Sequence, residues 1–366
     1  MILLTLALAP LSLRVCVVSK IILDTIRGTQ HLGGGGVQAA VGVRLAAPES
    51  AQCVLVAPVG TDFDDAALDG LRHDYGVDAT VEPLAHVPTT PGEVIRYEGE
   101  EMLWEPHGWE GWADLCEWQP VLPAADAYHV IVEGGGDGEV RAVETAMAVA
   151  AGSGWQTAPP GERPLLSIEP VMHEVTRASV ESLARLSAHA DVVSPDLLTA
   201  TRMARCFADV AARLGPSVTG EAVNGAEPPR SRRALGVIAR GCARALRLRP
   251  TATLAIRDGA RGSYLWSPRD GRLSHAPAVA DTEVVDPTGA GNAYAGALCA
   301  ALAGDLSADE AAGVASAVGA AFVGVDGWPA LERSGWVAAR AAEARGEREI
   351  EAQVRAFARS ANIYLG

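Results

Sequence analysis

Asp286-Pro287-Thr288-Gly289-Ala290-Gly291-Asn292 lies between a β-like run at 282–285 and an Ala-rich helical run beginning near Asn292. A strand that feeds a Gly-rich turn and then a helix leaves unpaired backbone N–H groups at the helix start, where the macrodipole also favours an anion. The segment reads as a phosphate cradle. A phosphate-transferring site of this shape calls for a carboxylate beside the cradle, yet position 292 offers an amide, and an amide is not a general base.

On either side of this segment, short apolar β-type runs alternate with Ala/Leu/Arg-rich helical stretches, at 14–23, 53–59, 127–132, 165–168, 191–193 and 253–256. Such alternation predicts an α/β fold, a mostly parallel sheet between two helical layers. Ligands of such sheets sit beyond the carboxyl ends of the strands. Segments 152–164 and 215–233 read as loops from their Gly, Pro, Asn and Ser content.

Composition narrows the function classes. The 366 residues are 49% apolar, enough for a large core. A net charge of −15 argues against a nucleic-acid partner and favours a small-molecule ligand. Lys20 is the only lysine and is followed by Ile21, so a Walker-type Gly-Lys-Ser/Thr loop and any second Schiff-base lysine are absent. Phosphate charge would be met by amides, arginine and a metal. The six cysteines (Cys16, Cys53, Cys116, Cys206, Cys242, Cys299) contain no CxxC pair and read as buried or incidental thiols. The apolar start, 1–13, has no positive charge before Arg14, which favours a strand-like or extended N-terminus over a signal peptide. No run is long enough for a membrane span, and a cytoplasmic location is the default expectation.

Val285-Asp286-Pro287-Thr288-Gly289-Ala290-Gly291-Asn292 resembles the C-terminal signature of the PfkB (ribokinase-like) carbohydrate kinases, usually D-T-x-G-A-G-D. In that family the last Asp takes the proton from the substrate hydroxyl and the Gly-Ala-Gly amides hold the transferring phosphoryl group. The resemblance assigns these roles to position 292, here Asn292, and to Gly289, Ala290 and Gly291. It runs from about Val15 to about Val325 and implies a single ribokinase-like domain over 1–366. Lid segments are expected near 24–36 and 86–118, with a flexible insertion at 214–233.

Further matches carry further expectations. Val17 to Asp24 resembles the first strand, whose closing Asp binds substrate hydroxyls; a strand-ending Asp is also a common turn former. Gly33-Gly34-Gly35-Gly36-Val37-Gln38 resembles G-G-x-x-x-N, with Gln38 or Val37 where the sugar-binding Asn belongs. Asp24, Gly34, Gly35 and Gln38 are thus the expected substrate contacts. Val59-Gly60-Thr61-Asp62-Phe63 matches V-G-x-D-x-F-G, with Asp64 for the last glycine. Between Pro88 and Trp118, alternating residues and four tryptophans (Trp104, Trp109, Trp112, Trp118) match the family's β lid, where tryptophan suits packing, a dimer seam or a ligand face. Arg257-Asp258-Gly259-Ala260-Arg261-Gly262 resembles the T-L-G-x-x-G turn beside the nucleotide, making Arg257, Gly259, Gly262 and Thr288 the expected cofactor contacts. A Gly-x-x-Gly hairpin alone would be unremarkable. The helix at 307–323 would form the other wall of the nucleotide pocket, although packing on the sheet explains its small residues equally.

Departures gather mid-chain. Ser167-Ile168-Glu169-Pro170-Val171 stands at a D-P-N strand end, and Ser194-Pro195-Asp196-Leu197-Leu198-Thr199 at P-N-x-x-E, whose Glu helps organise magnesium. Thr199 replaces that Glu, leaving Glu169 or Asp196 as partial substitutes for Mg2+. The combination of Glu-Pro-Val, four glycines without Asn, Arg-x-Gly and Gly-Ala-Gly-Asn resembles a fungal PfkB branch tied to killer-virus maintenance, in which Asn also stands at the base position. The resemblance implies ATP-dependent phosphoryl transfer to a sugar or nucleoside hydroxyl, weakened by Asn292, and a homodimer through the β lid as in some members. The alternatives are a catalytically degenerate nucleotide- or sugar-binding sensor, and a scaffold that recruits a partner through the lid or through 333–361.

Overall fold

Runs of Val, Ile, Leu and Ala too continuous to leave one face wet form the centre of the molecule, and each face of the resulting sheet is closed by helices. The computed structural model describes residues 13–26, 29–47, 51–98, 101–107, 118–133, 137–152, 155–156, 158, 161–171, 175–207 and 230–344. The central sheet contains β1 (Leu13–Val18), β4 (Ala51–Val59), β5 (Val77–Pro83), β8 (Ala127–Glu133), β9 (Leu165–Val171), β10 (Val192–Val193), β11 (Thr253–Arg257), β12 (Ser263–Trp266) and β13 (Leu273–Ala276). Their order is β13-β12-β11-β10-β9-β8-β1-β4-β5, parallel from β5 to β11 and antiparallel in the last two pairs. Strand order reverses beside β1, so the crevice at the carboxyl ends of β1 and β8 is the natural ligand position.

Alternation divides the core. Val15, Val17, Ile131, Val192 and Ala255 face one layer, α1 (Gly35–Ala46), α7 (Ala290–Ala303), α8 (Ala308–Val323) and α9 (Ser334–Ala344). Cys16, Val18, Val130, Ile168 and Leu254 face the other, α3 (Asp137–Ala150), α4 (Arg177–Ser187), α5 (Leu197–Arg205) and α6 (Arg232–Ala245). The short α2 (Asp69–Tyr75) lies between β4 and β5 in the chain. The described cysteines are free thiols, and burial pushes those of Cys53 and Cys242 up to about 12, as inert core residues require. No helix among the described residues is long and apolar enough to cross a membrane.

A second, four-stranded sheet stands where the lid is expected: β2 (Ile22–Ile26), β3 (Thr29–Gly33), β6 (Gly92–Glu98) and β7 (Glu101–His107), in the order β3-β2-β6-β7. Its foot is clasped by the Val-Gly-Thr-Asp motif. Asp62 Oδ1 accepts from Thr90 N at 2.6 Å and Thr90 Oγ1 at 2.9 Å, and a Cβ on Gly60 would lie 2.2 Å from Thr90 N. Trp118 is buried in the core on one face of the central sheet, whereas the side chain of Trp104, and Trp109 and Trp112 altogether, fall outside the described residues.

Three local expectations are corrected. The first strand does not run to Asp24: it ends at Val18, and Asp24 belongs to the second sheet. The β-type run at 282–285 forms no strand; Val284 and Val285 are exposed, and the amides of Val285 and Asp286 bond to the Val323 carbonyl. The insertion expected to reach 233 stops earlier, because Ser231 caps α6 and Arg232 begins it; 208–229 lie outside the described residues.

Helices α1 and α7 cross through reciprocal glycines. A Cβ on Gly42 would sit 2.2 Å from the Ala293 carbonyl oxygen, and one on Gly296 would sit 2.2 Å from that of Ala39. Overpacking such a contact costs about 1–3 kcal/mol. Gly296→Ala is therefore expected to lower the unfolding free energy by that amount in a urea titration, while Gly236→Ala, with nothing within 4 Å of the added carbon, leaves it unchanged or raised.

Candidate active site

The cradle opens α7. Gly289 is its N-cap at φ 75, a conformation that favours glycine, and no side chain caps the helix; Ala290 N makes a long 3.3 Å bond to the Pro287 carbonyl, and the dipole of the helix start still favours an anion. Asp286 shapes the approach by accepting from Thr288 N at 2.9 Å. Thr288 and Gly291 are exposed and Gly289 half-buried. Gln38 packs from α1 beneath Gly289, where an added Cβ would meet its Cγ at 2.3 Å.

Across from the cradle stands the glycine turn that starts α1. Gly34 has φ 99 with the Lys20 carbonyl 2.9 Å from where its Cβ would be, so only glycine fits. A Cβ on Gly33 would meet Asp24 Oδ2 at 2.8 Å, and one on Gly35 would meet Asn292 Nδ2 at 2.8 Å. The expected substrate residues Asp24, Gly34 and Gly35 thus gather at one turn, with Asn292 on its far side.

Beneath Asn292 lies a buried polar cluster. Glu169, fully buried at the end of β9, receives the Asn292 amide on Oε1 at 2.9 Å, the Arg257 guanidinium on the same oxygen, and His129 Nε2 on Oε2 at 3.3 Å. His129 Nδ1 lies 2.9 Å from Ser167 Oγ. A carboxylate only accepts, so the His129 proton sits on Nε2 and Nδ1 accepts from Ser167. Arg257 also underlies the cradle, its Nη1 being 2.8 Å from a Cβ built on Gly291. Several kcal/mol oppose burying a lone carboxylate, which these three donors offset. Tyr294, its hydroxyl pushed up to about 12 by burial, contacts Ser263 at 2.6 Å and ties α7 to the β12 edge.

The expected magnesium carboxylates have internal partners. Glu169 belongs to the cluster above, and Asp196 is the N-cap of α5, accepting from Thr199 N at 2.8 Å and Thr199 Oγ1 at 2.7 Å. Neither supplies the free oxygens that an octahedral Mg2+ requires, so this donor set does not fit an ion held by those two residues. An anionic nucleotide tail does fit the uncapped cradle. Gly259 and Gly262 bound the turn from β11 to β12, which Arg230 pins through Asp258 at 3.0 Å. A Cβ on Gly262 would lie 2.1 Å from the Ala276 carbonyl oxygen, whereas Gly259 faces open space.

Sequence reasoning misses His129 and Ser167, and also the buried Lys20–Glu139 pair at 3.6 Å. A His in an apolar strand is the available signal. Its partners become evident only from the register, which sets His129 opposite Ser167 and Ile131 opposite Glu169.

Residues 169–329 match the model of the pfkB family carbohydrate kinases. No curated protein sequence matches the chain. Among solved structures it is similar to ribokinase from Cryptococcus neoformans var. grubii serotype A in complex with ADP, at 18% identity over 88% of this chain and 98% of that one, TM-score 0.59. It is similar to Arabidopsis thaliana ribokinase complexed with ribose and ATP, at 14% identity over 89% and 98%, TM-score 0.60. A nucleoside kinase from Methanocaldococcus jannaschii, an archaeal member of the ribokinase family, gives 14% identity over 90% and 98%, TM-score 0.59. The fold is that of the ribokinase-like sugar and nucleoside kinases.

Removing Arg257 leaves Glu169 without its compensating charge. Arg257→Met is expected to lower unfolding free energy by about 3–5 kcal/mol in chemical denaturation, and Glu169→Leu combined with Arg257→Met to recover most of that loss.

Proposed function

We propose that the chain is an ATP-dependent kinase-like protein that transfers a phosphoryl group to a hydroxyl of a sugar or nucleoside, with the transfer slowed by the amide at 292. The observation that carries this reading is the uncapped Gly289–Ala290–Gly291 cradle at the start of α7, set across the Gly34–Gly35 turn from Asp24. Asp24, Gly34 and Gly35 form the acceptor side, and Gln38, expected there, instead supports the cradle from beneath Gly289. Arg257, Gly259, Gly262 and Thr288 form the nucleotide side. The family match over 169–329, the ribokinase-like fold and the ADP, ATP and ribose named for the similar structures support the assignment.

ATP brings the phosphoryl group, and the residues of this chain position and neutralise. Phosphoryl transfer passes through a loose transition state in which placement and charge stabilisation do most of the work. Asn292 at the base position removes the assistance of a carboxylate, typically worth roughly 10² to 10⁴-fold, and leaves that placement intact. Because Glu169 and Asp196 have internal partners, any magnesium enters with the nucleotide. A homodimer through the four-stranded lid sheet belongs to the same reading.

The Asn292–Glu169 hydrogen bond and Thr199 at the family's Glu position favour a second reading, a catalytically degenerate homologue that keeps a nucleotide or sugar pocket as a sensor or scaffold. The resemblance to the branch with Asn at the base position supports either reading.

Two measurements separate them. ATP with magnesium is expected to raise the melting temperature of the wild type, and Gly289→Val to erase the shift, since valine meets both the positive φ and Gln38. A panel of sugars and nucleosides should then yield slow transfer to one class. Stabilisation without transfer selects the degenerate reading; a wild type that ATP does not stabilise defeats the kinase reading, and one that no sugar or nucleoside of the panel stabilises either defeats the ligand-binding sensor as well and leaves the scaffold.

A further inference from the structure

Four residues of the site form one chain of contacts: Gly35 lies against the Asn292 amide, Asn292 donates to Glu169, Glu169 is paired with Arg257, and Arg257 underlies Gly291. The orientation of the Asn292 carboxamide follows from chemistry. A carboxylate paired with a guanidinium is acceptor-only, so the NH2 end must face Glu169 and the carbonyl oxygen must turn away from it. An aspartate at 292 would instead bring a carboxylate oxygen to the 2.9 Å now spanned by the amide, against a fully buried like charge.

We infer that Glu169 is a positioning residue that selects an amide at 292 and aims its carbonyl outward, so that the acceptor hydroxyl meets a hydrogen-bond acceptor and no base. The inference rests on the functional reading above for the identity of the hydroxyl. Its structural half stands without it. Arg257 completes the device: with His129 on the second oxygen, the guanidinium and the Asn292 amide share Oε1, so the only group that fits beside Arg257 there is a donor. Replacing Asn292 alone by the family's aspartate therefore does not rebuild the family's base. The exchange has to be made on both residues, because a glutamine amide at position 169 can donate to a carboxylate at position 292, whereas the Glu169 carboxylate cannot.

The test is a cycle of Asn292→Asp, Glu169→Gln and the two combined, with Asn292→Ala as the uncharged control, read by melting temperature and by steady-state ATP turnover with water or the best acceptor of the panel. Asn292→Asp is expected to melt lower than Asn292→Ala and to leave kcat no higher than wild type. The double variant should melt above Asn292→Asp and raise kcat on the order of 10²-fold at nearly constant KM. If Asn292→Asp fails to fold, a double variant that folds supports the same pairing. Melting of Asn292→Asp at or above Asn292→Ala, additive losses in the double variant, or a kcat gain from Asn292→Asp alone overturns the inference. A wild type with no affinity for ATP defeats the functional reading, and the melting order still decides the pairing.

Discussion

The crossing of α1 and α7 is the constraint on which the rest of the site depends. Gly42 and Gly296 let the two backbones approach until a methyl group on either would overlap a carbonyl of the other. The first residue of α1, Gly35, thereby comes against Asn292 in the first turn of α7, and Gln38 comes under Gly289. The glycine turn of α1 and the glycine start of α7 are held at a separation set by two packed helices, and on the proposed reading these rigid elements would place acceptor and phosphate more closely than loops could. The same closeness explains the composition of α7, which is mostly Ala and Gly: larger side chains on the side toward α1 would push the two helix starts apart.

Electrostatics at the strand ends follows from that geometry. Glu169 lies where water cannot reach it, so its charge is answered by Arg257 and by hydrogen bonds from Asn292 and His129. Arg257 thus stands beside the cradle with much of its charge already neutralised. A bound phosphoryl group would rely mainly on the first-turn amides of α7 and the helix dipole, together with whatever cation accompanies it. That division also accounts for the chain managing with a single lysine, which is itself buried against Glu139.

Much of the fold was legible. Six of the seven parallel strands answer to continuous apolar runs, whereas the edge strand β5, Val-Asp-Ala-Thr-Val-Glu-Pro, carries no such run; the cradle and the glycine turn were readable because positive φ and close backbone approach demand glycine. What failed shows the limits of pattern. The β-branched run before the cradle looked like a strand, but strand propensity needs a neighbouring strand, and here the amides of Val285 and Asp286 bond to the Val323 carbonyl at a helix end instead. Asp196 looked like a metal carboxylate, although Asp followed three residues later by Thr is equally an N-cap pattern, which is its use here. His129 was invisible because alternation reports which face a side chain takes and not what the next strand, 38 residues on, places opposite it.

The two unusual residues of the site, a glutamate near the end of β9 and an asparagine at the start of α7, are joined by one hydrogen bond. The negative charge nearest the glycine turn of α7 lies one hydrogen bond inward from Asn292, on Glu169, where Arg257 and His129 hold it. On the proposed reading, a carboxylate in that position would orient an amide without reaching a substrate proton, because the amide stands between them. The same atoms that make Glu169 tolerable in the core would then remove it from proton transfer, and position 292 would serve as a neutral acceptor.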